Sequence, residues 1–125
     1  MNQLSEQKNL HFAELLRETV LRGEKTTTWR IWSGEKLDKS GIRVGDTVNL
    51  VVSETNQKFA EAKITNIRTT TFQGLTDADR NGHETYSSDK EMYQTFEKFY
   101  KTKVTKETQL VVIKFVLNCK GVKRL

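Results

Sequence analysis

"GEKTTTWR", residues 23–30, sets the reading of this chain. Gly23 can close a helix, and directly after it come three threonines and a tryptophan, types that favour extended backbone. The stretch reads as a corner where a helix gives way to a strand. Upstream, in "FAELLRETVLRG", Phe12, Leu15, Leu16, Thr19 and Val20 form one stripe at helical spacing. Arg22 falls in the last turn and Gly23 is the stop. Downstream, "TTTWRIW" predicts a strand.

The rest of the chain follows from the same rules. Residues 34–45, with Gly34, Gly41 and Gly45, read as a loop ending in the turn signal "VGD". "TVNLVVS" alternates, with Val48, Leu50 and Val52 on one face. "FAEAKITNIRTTTF" is a longer strand in which Ala60, Ala62 and Ile64 share a face. Ile67 falls out of that phase, so a bulge near Thr65–Asn66 is expected. "QGLTDADRNGHETY" is irregular. Ser88 and Glu91 match a capping box opening the helix "SDKEMYQTFEKFYK", with Met92, Phe96 and Phe99 as its apolar stripe. "TQLVVIKFVL" is apolar on both faces and should be a central or covered strand. The order is helix, three strands, helix, strand, with one or two short strands still hidden. It predicts an α+β fold: a small open β-barrel of about five to six mostly antiparallel strands with two flanking helices.

At 125 residues one domain is expected, with a short extension at 1–9, a domain at 10–118 and a basic tail at 119–125. Hydrophobic residues are 35% and charged residues 30%, a polar globular composition. No apolar run approaches the ~20 residues of a membrane helix, and "MNQLSEQKNL" has no apolar signal core. Cys119 is the lone cysteine. With His11 and His83 it cannot build a thiolate–imidazole zinc site, and neither metal nor other cofactor is expected. A cytoplasmic location is expected, since one thiol makes no internal disulfide. The net charge of +5 is compatible with an anionic partner.

Gly-x-Lys at a helix end, followed by x-x-Thr-x-Arg on a strand, resembles the signature of the ASCH domain family, a branch of the PUA-like β-barrels. Here the residues are Gly23, Lys25, Thr28 and Arg30. Val44-Gly45-Asp46, the segment "GLTDADRNGHETYSS" and the closing "VVIKF" fit the family in the same order, so the likeness runs from Leu10 to Leu117. The resemblance implies binding of RNA or a nucleotide, and some members are reported as nucleases. One small bacterial branch is an amidohydrolase that removes the acetyl group of N4-acetylcytidine, using a lysine, a threonine and a glutamate. Lys25 and Thr28 match the first two. Glu84 is the best match for the third, within a residue or so around Gly82, with His83 and Asp79 as fallbacks. This chain is longer than that branch, and its 34–45 loop is expanded.

The residues support both chemistries. A threonine hydroxyl needs a base within hydrogen-bond reach, and a lysine serves if burial or a nearby cation lowers its pKa. Thr28 would be the nucleophile, Lys25 the base and Glu84 the acid. On a regular strand, however, Lys25 and Thr28 face opposite ways, so they converge only if Lys25 lies in the turn after Gly23. Thr26, Thr28, Arg30 and Trp32 share one parity. For binding, Lys25 and Arg30 offer donors and Trp32 a stacking face, whereas Trp29 has the phase of a core residue. Lys25 paired with Glu84 or Glu24 at the surface would instead contribute less than about 1 kcal/mol. Lys101 and Lys103, beside Tyr100, offer a second basic segment for a nucleic-acid backbone, or simply a solvated helix end. The candidate functions are therefore RNA or nucleotide binding, hydrolysis of an N4-acylated cytidine, RNA cleavage, or a protein-interaction module with a vestigial cleft.

Overall fold

A computed structural model describes residues 7–118. Its strands are β1 (Asn9–Phe12), β2 (Thr27–Arg30), β3 (Thr47–Val52), β4 (Lys58–Thr71) and β5 (Gln109–Leu117). Its α-helices are α1 (Arg17–Leu21), α2 (Gly34–Ser40), α3 (Asp77–Arg80) and α4 (Asp89–Tyr100), and 3-10 turns at Glu14–Leu16 and Phe72–Gly74 link them to strands. The sheet order is β1-β3-β4-β5-β2. All pairs are antiparallel except β1 with β3.

β1 and β2 are the two edges of this sheet, yet they meet. Arg30, at the end of β2, donates through Nη2 to the carbonyl of His11 on β1 at 2.7 Å. Its guanidinium sits 5.0 Å from the centre of the Phe12 ring. The sheet therefore curls into the expected open barrel, and across the seam between its edges lies a side chain instead of a ladder of backbone bonds.

The apolar pattern of β5 explains its place. Val111, Ile113 and Phe115 point into the barrel with Leu10, Phe12, Val48, Leu50 and Ile64. Leu110 and Val112 point the other way, onto Trp29, Phe72, Met92 and Phe96. A strand paired on both sides and covered on both faces must be apolar throughout. Each such large side chain contributes roughly 1.5–3 kcal/mol when fully buried. The expected break in β4 is present: its register against β5 shifts between Ile64 and Asn66, which returns Ile67 to the barrel side opposite Ile113.

Four expectations need correction. Phe12 belongs to β1, not to a helix, because Leu10 and Phe12 alternate with Asn9 and His11 over four residues before helical spacing begins. Leu15, placed on the same stripe, is 79% exposed. The 34–45 segment is not all loop. Ser33 accepts the Lys36 N–H as N-cap, and Gly41 at φ 72° closes α2. Finally, Phe99 is 66% exposed, so the buried stripe of α4 is Met92 and Phe96. Ser88 caps α4 through the Glu91 N–H as expected, but the Glu91 carboxylate reaches back to Ser87 instead of completing the box.

The irregular segment after β4 is stitched to β2. Thr76 and Asp79 form a reciprocal capping box on α3, and Arg68 grips the Asp79 carboxylate at 2.7 and 3.1 Å. The Arg68 hydrogen bond and the Thr76 donors hold Asp79 at a pKa of about 2 despite its burial. The Asp79 carbonyl takes the Trp29 indole N–H, the Asn81 carbonyl takes the Thr27 hydroxyl, and the Gly82 carbonyl takes the Thr26 and Thr27 amides. Gly82 is required there. Its φ is +83°, and a Cβ would lie 2.1 Å from the Thr26 hydroxyl. These bonds carry His83 and Glu84 to the mouth of the helix–strand corner.

Candidate functional site

Gly23, at φ 78°, ends the helical turn, and the amides of Glu24 and Lys25 both bond the Thr19 carbonyl. β2 begins only at Thr27, so Lys25 stands outside the strand and is free of its parity. Lys25 and Thr28 consequently line the same cavity, of about 340 Å³, together with Arg30, His83 and Glu84. Phe12, Trp29, Tyr86, Phe96 and Tyr100 supply its aromatic walls, and the exposed Leu15 and Phe99 its rim.

Two polar pairs sit in this aromatic setting. The Lys25 side chain is only 4% exposed, and its Nζ donates to Glu84 Oε2 at 2.7 Å and to the Thr27 carbonyl at 2.9 Å. Glu84 is 39% exposed and keeps contact with water. The Lys25–Glu84 pair is thus not a surface contact. Burial lowers the Lys25 pKa, Glu84 opposes that, and Arg30 lowers it further. In the second pair, Thr28 Oγ1 accepts from Arg30 Nε at 2.9 Å. A hydroxyl that accepts from a guanidinium keeps its own proton to donate, and an alkoxide there would be stabilised.

His83 lies flat on Trp29, with ring centres 3.7 Å apart and planes 11° off parallel. Burial, then the Lys25 ammonium, lowers its pKa to about 4, so it is neutral at pH 7. Its Nδ1 lies 3.0 Å from the Glu84 carbonyl, which a neutral Nδ1–H tautomer satisfies. Burial, then Glu84 and Glu91, raises the Tyr86 pKa, so its phenol stays protonated. No three His, Cys, Asp or Glu side chains converge as a metal site among the described residues.

Lys25, Thr28, Arg30, His83 and Glu84 are thereby brought together, and the other candidates are not. Thr26 turns its hydroxyl against Gly82. Trp32 lies past the end of β2, where the chain turns through a bond from its amide to the Arg30 carbonyl, and it lines a separate groove. Trp29, assigned by phase to the core, both fills the core and forms a wall of the cavity. Lys101 and Lys103 are exposed and line neither cavity. Asp79 is committed to Arg68 and Thr76. The aromatic walls escaped the sequence reading. Phe96 and Tyr100, four apart on α4, share a helical face, a signal that would have paired them.

A family model described as the ASCH domain matches residues 4–117. The chain belongs to the ASCH domain family. Solved structures with the same fold include an ASCH domain from Lactobacillus crispatus, 14% identical, with a TM-score of 0.65 over 94% of this chain and 85% of that one. A protein from Enterococcus faecalis is 15% identical, with a TM-score of 0.68 over 89% of this chain and 79% of that one. An ASCH protein from Zymomonas mobilis is 13% identical, with a TM-score of 0.54 over 88% of this chain and 66% of that one. At these identities the likeness is one of fold. No curated protein matches the chain significantly. In this ASCH domain Gly23, Lys25, Thr28 and Arg30 are the corner itself, and the cavity opens at the barrel seam that Arg30 spans.

Proposed function

We propose that the seam cavity binds one nucleobase, presented by single-stranded RNA or by a nucleoside or nucleotide. One observation carries this reading: the Lys25–Glu84 and Thr28–Arg30 pairs, with Lys25 and Thr28 buried, sit in a cavity walled largely by aromatic rings. Aromatic walls stack a planar base, and a few convergent donors and acceptors read its edge. Glu84 accepts, Lys25 and Arg30 donate, and the Thr28 hydroxyl does either. Family membership supports RNA as the macromolecular partner, and a cytoplasmic setting goes with it.

A second reading is favoured by the shared lining of Lys25, Thr28 and Glu84. In hydrolysis of an N4-acylated cytidine, the pair reacts in its neutral form, Lys25 as the amine that burial favours and Glu84 as the acid: Thr28 Oγ1 attacks the acyl carbon and its proton passes to the Lys25 amine. The C–N bond then breaks, the departing cytidine nitrogen takes a proton relayed through Lys25 or Glu84, and water releases the acyl group from Thr28. The Arg30 contact supports the threonine oxygen in that step.

The test is incubation of the protein with N4-acetylcytidine and with a short single-stranded RNA, followed by chromatography, beside titrations of both ligands. Binding is expected to weaken at least about tenfold in Arg30→Ala, a loss of about 1.4 kcal/mol. Deacetylation abolished by Thr28→Ala selects the hydrolase, and RNA cleavage abolished by Lys25→Ala selects the nuclease. If no ligand binds and none is turned over, the cavity has neither role.

A further inference from the structure

The geometry points to a second subsite: the groove between β1 and α2 takes the phosphodiester backbone of the strand whose base enters the seam cavity. This rests on the nucleobase reading and extends it. The groove has a volume of about 540 Å³ and is lined by Lys8, Asn9, Trp32, Lys36 and Lys39, with two serines and Ile42. Glu35 is its one acidic lining residue against those three lysines. Lys39 is held by Glu35 at 3.2 Å and Lys8 by Asp46 at 3.5 Å. Both lysines are substantially exposed, so a phosphate can displace either carboxylate at small cost. The Lys36 ammonium stands 5.7 Å from the centre of the Trp32 ring, which puts a cation and a stacking face side by side.

Arg30 joins groove and cavity. Its guanidinium lies 6.0 Å from the Trp32 ring in the groove and 5.0 Å from the Phe12 ring in the cavity wall. β1 makes the same connection. Asn9 lines the groove and His11 the cavity, two residues or about 7 Å along a strand, a span that one nucleotide bridges. A base in the cavity thus leaves its neighbouring phosphate beside Arg30 and the next residue of the strand over Trp32 and the lysines. α2, in the segment after β2, supplies Lys36 and Lys39 to this arrangement.

The test titrates a fluorescein-labelled, mixed-sequence ten-nucleotide single-stranded RNA at several salt concentrations, with cytidine and N4-acetylcytidine in parallel. Lys36→Glu/Lys39→Glu is expected to weaken RNA binding about tenfold or more. It should also flatten the slope of log affinity against log salt by about 1.4, about 0.7 for each lost phosphate contact. Trp32→Ala is expected to weaken RNA binding about fivefold or more. Nucleoside affinity, which uses the cavity, should hold in both variants. The control Lys63→Glu/Lys90→Glu reverses the same charge on residues that line neither cavity, and should lose far less. Equal loss in the control, or an unchanged slope in Lys36→Glu/Lys39→Glu, overturns the groove while leaving the cavity reading intact. So does wild-type protein that binds a nucleoside but holds RNA no more tightly. Wild-type protein that binds neither ligand refutes the cavity reading and the groove with it.

Discussion

Glu84→Ala is expected to destabilise the domain by about 2 kcal/mol, more than Lys25→Met does, although the two changes break the same ion pair. The difference comes from burial. Lys25 is 4% exposed and Glu84 39%. Without Glu84 the ammonium keeps the Thr27 carbonyl in a setting of aromatic rings. Removing one partner of a fully buried pair costs about 3–5 kcal/mol, and water entering at the Glu84 position reduces that here. Without the Lys25 charge, the half-exposed carboxylate simply hydrates, and methionine refills the stem's volume, so the expected cost is about 1 kcal/mol. Urea unfolding of both variants measures the order. A Glu84→Ala protein as stable as wild type would mean that the pair contributes nothing, and that Lys25 is hydrated in solution. Glu84→Ala should also lower the Lys25 pKa further, since it removes the group that opposes burial.

Acid should weaken the fold through His83 before it acts on the carboxylates. The His83 pKa falls from 6.5 to about 4 on folding. Between those values the unfolded chain binds more protons than the folded one, so stability decreases as pH falls through that window. At 1.36 kcal/mol for each pKa unit, about 3 kcal/mol is lost between pH 7 and pH 4. Asp79, held at about 2, contributes its own loss only below its ordinary 3.8. His83→Phe keeps a ring against Trp29 and removes the titrating group, so its stability should be nearly flat from pH 7 to pH 5. Urea unfolding across that range checks it. An equal slope in wild type and His83→Phe would place the acid sensitivity elsewhere.

The sequence revealed the elements that carry strong local signals. Gly23 followed by three threonines marks the helix–strand corner, the phase slip between Ile64 and Ile67 marks the bulge, and the doubly apolar "VVIKF" marks a strand covered on both faces. It did not reveal elements too short to build a period. β1 has four residues that run directly into a helical pattern, and α2 is a seven-residue helix bounded by glycines that also spell loop. The site was half visible for the same reason. Lys25, Thr28 and Arg30 match the family signature and Glu84 is reached only through that resemblance, but the cavity walls come from β1, β2, the segment before α4 and α4 itself. Trp29 is the core residue its phase predicts and a wall of the cavity as well, while Trp32 is carried away from the cavity because β2 ends at Arg30. Beyond a strand's end, parity no longer says where a side chain points, and Trp32 turns into the neighbouring groove.

The most direct measurement of the cavity's role is an amide-resolved NMR titration of the ¹⁵N-labelled protein with cytidine and N4-acetylcytidine. Binding at the seam should move the Trp29 indole N–H and the amides of Lys25, Thr28 and Glu84, while β3 and the outer face of β4 stay fixed. Saturable shifts that leave Trp29 and Thr28 unmoved, or none at millimolar nucleoside, would contradict a base-binding cavity at this corner.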